Sequence, residues 1–139
     1  MFKRILIPTD LTERNRKAME IALRMATEER AGITLLHVIE TIEDADSEDF
    51  KKFYKQLGVR AGKLMDKIIN QHQNEGVHIE KQILYGSRVT EILTFAAAHQ
   101  TDLIIMSSHK LDLENATEGW GTISFKVGVL SECPVLLVK

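Results

Sequence analysis

Residues 33 to 39 read ITLLHVI, a short run that is apolar almost throughout. A half-wet strand would alternate apolar and polar positions, so this run is expected to be a strand covered on both faces. The run around Leu103 to Met106 in Asp102–Ser107 is likewise buried by its composition, and PVLLV at Pro134–Val138 reads as a last strand, apolar at alternate positions and open at its edge. Phe2 to Pro8 is a further short β run, with Thr9 and Asp10 following as a turn, and His78 to Leu84 is a weaker one. In that last segment the polar Glu80, Lys81 and Gln82 suggest a sheet edge.

Between these strands the apolar spacing changes to that of helices. Ala18, Ile21, Ala22 and Met25 mark the first, and Phe53, Leu57, Ala61, Leu64 and Ile68 a long second. Val89, Ile92, Leu93, Ala96 and Ala97 mark a third, with Ser87 as its cap; Ile123, Val127 and Leu130 mark a short fourth. Gly58 and Gly62 interrupt the second helix at a cost of about 1 kcal/mol each relative to alanine. They point to a bend or to something packing closely there. The order β-α-β-α-β-α-β-α-β requires a parallel sheet with crossover helices, a doubly wound α/β domain over residues 1–139. Ligands of such sheets bind beyond the carboxyl ends of the strands, which directs attention to Pro8–Asp10, Val38, Gly86-Ser87 and the residues after Ser107.

Composition narrows the functions. A net charge of −2 gives no general reason to expect nucleic acid or an anionic membrane as partner. The single cysteine, Cys133, excludes an intrachain disulfide. No run approaches a membrane span, and Ile5–Ile7 is too short for a secretory signal, so the cytoplasm is the expected compartment. The five histidines lack metal-ligand spacing, and no nucleophile–base arrangement is visible. Glu40 to Asp49 reads as a solvated acidic loop. Its Asp44-Ala45-Asp46-Ser47-Glu48 departs from a calcium loop, with Asp49 at the glycine position and Lys55 at the final glutamate. A phosphoacceptor receiver domain shares the β/α alternation but needs an aspartate at the third strand end, where this chain has Tyr85-Gly86.

Five segments together carry a resemblance. They are ILIPTD, ITLLHVIE, LYGSRVTEIL, TDLIIMSSH and GTISFKVGVLSECPVLLVK, and over nearly its whole length the chain resembles the universal stress protein family. The resemblance implies a five-stranded parallel sheet in the order 3-2-1-4-5 with helices on both faces, of the adenine nucleotide alpha-hydrolase-like type. It implies a homodimer through the C-terminal strand Pro134–Val138 and, in one branch, binding of ATP or AMP, with Mg accompanying ATP. Carried over residue by residue, the nucleotide site comprises Pro8, Thr9, Asp10, Val38, Gly86, Ser107, Ser108, His109, Lys110, Gly121, Thr122 and Ile123.

The chain departs from that branch in one loop. Ser107 and Lys110 stand where the family has a pair of glycines, while Gly121-Thr122 is retained. Those glycines let backbone N–H groups approach phosphate oxygens. Lys110 adds bulk there but also a charge suited to phosphate. Gly119-Trp120-Gly121-Thr122 is either an anion-binding turn or a tight turn with Thr122 as helix cap. Trp120 either contacts a base or pins the loop. Asp10 is the strongest candidate, as acceptor for a ribose or as a metal partner beside phosphates. Two functions follow: a regulatory adenine-nucleotide-binding dimer with at most slow hydrolysis, or a stress-response dimer that acts through protein contacts without nucleotide.

Overall fold

In the computed structural model, residues 1–42, 47–108 and 122–139 are described. Five strands form one sheet: β1 Arg4–Pro8, β2 Gly32–Glu40, β3 Ile79–Gly86, β4 Leu103–Ser107 and β5 Val135–Val138. Every pairing is parallel, and the order is β3-β2-β1-β4-β5. The described helices are α1 Arg16–Glu29, α2 Glu48–Asn70, α3 Arg88–Ala98 and α4 Ile123–Leu130.

The central strand is buried from both sides, with Ile5, Leu6 and Ile7 at 1%, 0% and 1% exposure. Alternation along the strands sorts side chains into two separate cores. Ile5, Ile7, Ile33 and Leu35 meet α1 and α2, through Ala18, Met19, Ala22, Leu23 and Met65. Leu6, Leu36, Val38, Ile104 and Met106 meet α3 and α4, through Ile92, Phe95, Ala96 and Val127. Parallel strands cannot join by a tight turn, and the two helix layers are what the crossovers supply. Asp102 ties the entry of the sheet together, its carboxylate accepting from the backbone N–H of Lys3 at 2.8 Å and Arg4 at 3.0 Å.

The helices differ from the sequence expectation in rotation. In α2, Tyr54, Ala61 and Met65 are buried, whereas Phe53 and Leu64 are exposed. The glycines explain the offset. A Cβ on Gly58 would overlap the Tyr85 hydroxyl of β3, and one on Gly62 would touch the Ile83 side chain at 3.8 Å. The glycine side therefore faces the sheet together with Ala61 and Ile68 of the expected stripe, and Phe53 and Leu64 are turned to the margin. In α1 the inward face adds Met19, Leu23 and Ala26, while Ile21 and Met25 are only partly buried. In α4, Leu130 is exposed, and Ser124 with Val127 fills the inward side.

Two end signals also read differently. Ser87 occupies the position before α3, but its side chain makes no capping bond. The acidic stretch is shorter than a loop from Glu40 to Asp49. Glu40 ends β2, Ser47 accepts from Phe50 N–H as the α2 cap, and Glu48 and Asp49 form that helix's first turn. Glu43 to Asp46 lie outside the described residues.

Candidate functional site

The strand order reverses between β1 and β4, since β2 follows β1 outward on one side and β4 begins the other. The carboxyl ends of these neighbours diverge into separate loops, which opens a crevice at that rim. A cavity of about 590 Å³ lies there, within the range of small-molecule sites. Pro8, Thr9 and Asp10 line it from β1, Val38 from β2, Ser107 and Ser108 from β4, and Thr122 and Ile123 from the start of α4. The structure thus gathers residues from four segments of the sequence.

Its lining carries two kinds of group. Leu36, Val38, Ile92, Met106 and Ile123 are apolar. Ser108, Thr122 and Ser124 add a set of hydroxyls. Ser124 is buried and donates to Ser108 Oγ at 3.1 Å, and its Oγ lies 3.5 Å from Thr122 Oγ1. Thr122 also caps α4, accepting from Phe125 N–H at 3.3 Å. The cap and the cavity wall are therefore one residue.

Asp10 heads a tightly bonded turn. Its Oδ1 accepts from Thr12 N–H at 3.0 Å, Thr12 Oγ1 at 2.6 Å and the Asn15 amide. Among the described residues its Oδ2 meets only the Arg14 guanidinium, at 3.4 Å. Burial pushes the Asp10 carboxyl upward, but the Thr12 hydrogen bonds, the Arg14 charge and the Asn15 amide together outweigh it and hold the group below its ordinary value. The carboxylate stays ionised with one oxygen open to a further partner. That oxygen fits a ribose hydroxyl or a Mg²⁺ ion held jointly with phosphates, an ion that takes few protein ligands. Among the described residues no group of three His, Cys, Asp or Glu side chains is placed to hold a metal alone.

Several partners are backbone-directed. Thr9 is buried, donates its N–H to Leu36 O at 2.8 Å and accepts from Leu11 N–H at 3.0 Å through Oγ1. That bond holds Leu11 at φ 65°, left-handed backbone that a non-glycine residue rarely adopts. His37 places Nδ1 2.8 Å from Thr9 O, which fixes Nδ1 as the donor and ties β2 to the β1 turn. Ser107, at the first altered glycine position, donates to Arg14 O at 3.0 Å and so fastens the Asp10 turn to β4.

Gly86 does not line the cavity. It sits at φ 145°, where a Cβ would lie 2.7 Å from Glu91 Oε1, so its glycine serves the β3–α3 turn. His109, Lys110, Gly121 and also Gly119 and Trp120 lie outside the described residues. The sequence reading placed the Ser124 hydroxyl beside Thr122 at the helix start but missed Arg14, Asn15, Lys17 and Arg88, all of which line the cavity. Of the missed residues, Asn15, five residues after Asp10, carried the only usable signal.

A doubly wound five-stranded parallel sheet in this order, with a crevice at its switch point, is a fold of the adenine nucleotide alpha-hydrolase-like type. The model of the universal stress protein family matches residues 1–139, and the chain belongs to that family. Universal stress protein MJ0577 of Methanocaldococcus jannaschii is 29% identical, over all of this chain and 96% of its own length. Its solved structure superimposes with a TM-score of 0.84, at 31% identity over 100% of this chain and 96% of that one. A universal stress protein solved in complex with cAMP has a TM-score of 0.79 at 16% identity, covering 99% of this chain and 97% of its own. One from Archaeoglobus fulgidus in complex with dAMP has 0.72 at 14%, covering 99% and 98%. At those identities the last two speak for the fold.

Proposed function

We propose that this universal stress protein is a regulatory adenine-nucleotide-binding module that acts as a cytoplasmic homodimer. One observation carries the ligand reading: a single cavity joins an apolar wall able to take a base to an open carboxylate oxygen and a hydroxyl set at a helix start. The family fold holding cAMP and dAMP in other members supports the same choice. The base lies against Val38, Ile92 and Met106, the ribose reaches Asp10 Oδ2, and the phosphates lie toward Ser108 and Thr122. ATP or AMP satisfies this arrangement, and Mg²⁺ accompanies ATP. No residue is assigned a part in hydrolysis, which is at most slow.

The dimer reading rests on the other end of the sheet. Among the described residues β5 pairs only with β4, and Leu136 on that strand and Val129 and Leu130 at the end of α4 are 37%, 66% and 60% exposed. An apolar open edge is a liability unless it is covered. Pairing of two β5 strands covers it.

Calorimetric titration with ATP, ADP and AMP tests the ligand reading. Micromolar-range binding is expected, weakened by Asp10→Ala and by Gly121→Val. Absence of heat with all three nucleotides would leave the dimer acting through protein contacts alone. Mass analysis of nucleotide carried through purification gives a faster first answer.

A further inference from the structure

The cavity carries more charge than its hydroxyls suggest. Arg14, Lys17, Arg88 and Lys139 line it, against Asp10 as the one carboxylate side chain among the described residues there. These cations fall into two places. Arg88 precedes Ile92 by one helical turn and so flanks the apolar wall. Arg14 and Lys17 come from the turn and first helical residues after Asp10, three residues apart. Arg14 is bound through its carbonyl to Ser107, and the Lys17 ammonium donates to a Lys139 main-chain oxygen at 3.2 Å, just past the end of β5. Both therefore stand at the hydroxyl end.

That end needs a cation. The Ser107 hydroxyl donates to Arg14 O and the Ser124 hydroxyl to Ser108, while the Thr122 oxygen accepts the α4 cap bond. The remaining capacity of neutral hydroxyls balances a phosphate's charge poorly, whereas N⁺–H donors bind phosphate oxygens about twice as strongly as neutral ones. The Arg14 side chain is 79% exposed, and its Asp10 contact, at 3.4 Å, engages only Nη2. It offsets the carboxylate that would repel a phosphate, and among the described residues its other side-chain N–H groups have no further partner.

We propose that Arg14 and Lys17 form a side-chain phosphate clamp that makes this site rank nucleotides by the length of their phosphate chain. The clamp rests on the nucleotide reading of the crevice, and it takes over from side chains what glycine-loop amides would supply from backbone. Its ligand class is a nucleoside di- or triphosphate in preference to a monophosphate or a nucleoside.

Titration of the full chain with adenosine, AMP, ADP and ATP tests it. In the wild type, affinity rises along that series, and added salt weakens ATP but leaves adenosine unchanged. Arg14→Gln and Lys17→Gln each weaken ATP by roughly tenfold, leave adenosine as it was, and flatten the series when combined. Lys17→Arg keeps the ranking, and Lys63→Gln, the same charge change on the exposed face of α2, serves as the control for net charge. Equal loss of ATP in the control, unaltered ATP affinity in the double variant, or a parallel fall in adenosine overturns the clamp while leaving the nucleotide site standing. A wild type that binds neither adenosine nor ATP overturns both.

Discussion

Replacing Asp10 separates what its two oxygens do. Asp10→Ala removes the three bonds to Oδ1, from Thr12 N–H, the Thr12 hydroxyl and the Asn15 amide. They stabilise the turn that launches α1, much as a helix cap does, and removing such a cap costs about 1–2 kcal/mol. The Arg14 contact adds little, because at 3.4 Å with side chains 79% and 43% exposed it is screened by water, and pairs of that kind contribute roughly 0.2–1 kcal/mol. Asp10→Asn keeps an oxygen for the turn and loses only the charge. The expected losses are therefore about 1.5 kcal/mol for alanine and about 0.5 kcal/mol for asparagine. For a domain of this size the alanine loss lowers the melting temperature by about 3–6 °C. Acid supplies a second axis. The folded-state pKa of Asp10 lies below its ordinary value of 3.8, so its ionic contribution is whole above that value and is lost as the pH falls through the lower folded one. Urea denaturation of the three proteins between neutral pH and pH about 3 measures both effects, and the gap between wild type and Asp10→Asn should close only at the acid end. Equal losses for alanine and asparagine, or a gap that persists in acid, would refute the assignment of turn to Oδ1 and charge to Oδ2.

Three further outcomes follow from the geometry. Arg30 ends α1 at φ 55°, and Arg30→Gly should raise the urea-derived stability by about 1 kcal/mol by removing a Cβ from left-handed backbone. Gly58→Ala should be close to neutral, because a helix gain of about 1 kcal/mol is opposed by overlap with Tyr85; in a Tyr85→Ala background the full gain should reappear in a double-mutant cycle. Leu136→Lys places a charge on the β5 edge, and, on the dimer proposed above, light scattering should report monomer with little loss of helix by circular dichroism.

The layering was legible in the sequence because runs such as Ile33–Ile39 leave a strand no wet side, and because intervening apolar residues recur at helical spacing. Rotation of the helices was less legible. In α2 the large residues Phe53 and Leu64 suggested the inward face, but Gly58 and Gly62 let β3 approach, and close approach outweighed side-chain size. The Ser87 signal misled for a simpler reason: a capping residue type does not guarantee the bond. At the site, the strand-end residues Pro8 to Asp10, Val38 and Ser107-Ser108 were legible from the switch-point rule, as was Thr122 from its place before a helix. Arg14, Lys17 and Arg88 were not, since a cation on a helix's first turn ordinarily faces water. Only the folding of two crossovers onto one rim brings these three exposed cations to the cavity mouth.

The sheet divides this protein into two oily compartments that share no side chains, one under α1 and α2, the other under α3 and α4. The crevice is where both reach daylight together, through Val138 from the first and Leu36, Val38 and Met106 from the second. An occupant seated there would rivet the two halves to each other, so that neither could loosen without releasing it. Deuterium uptake in α1 and α3, remote as they are from one another, would then slow in unison, and the chain would report occupancy through its rigidity, with its outline unchanged.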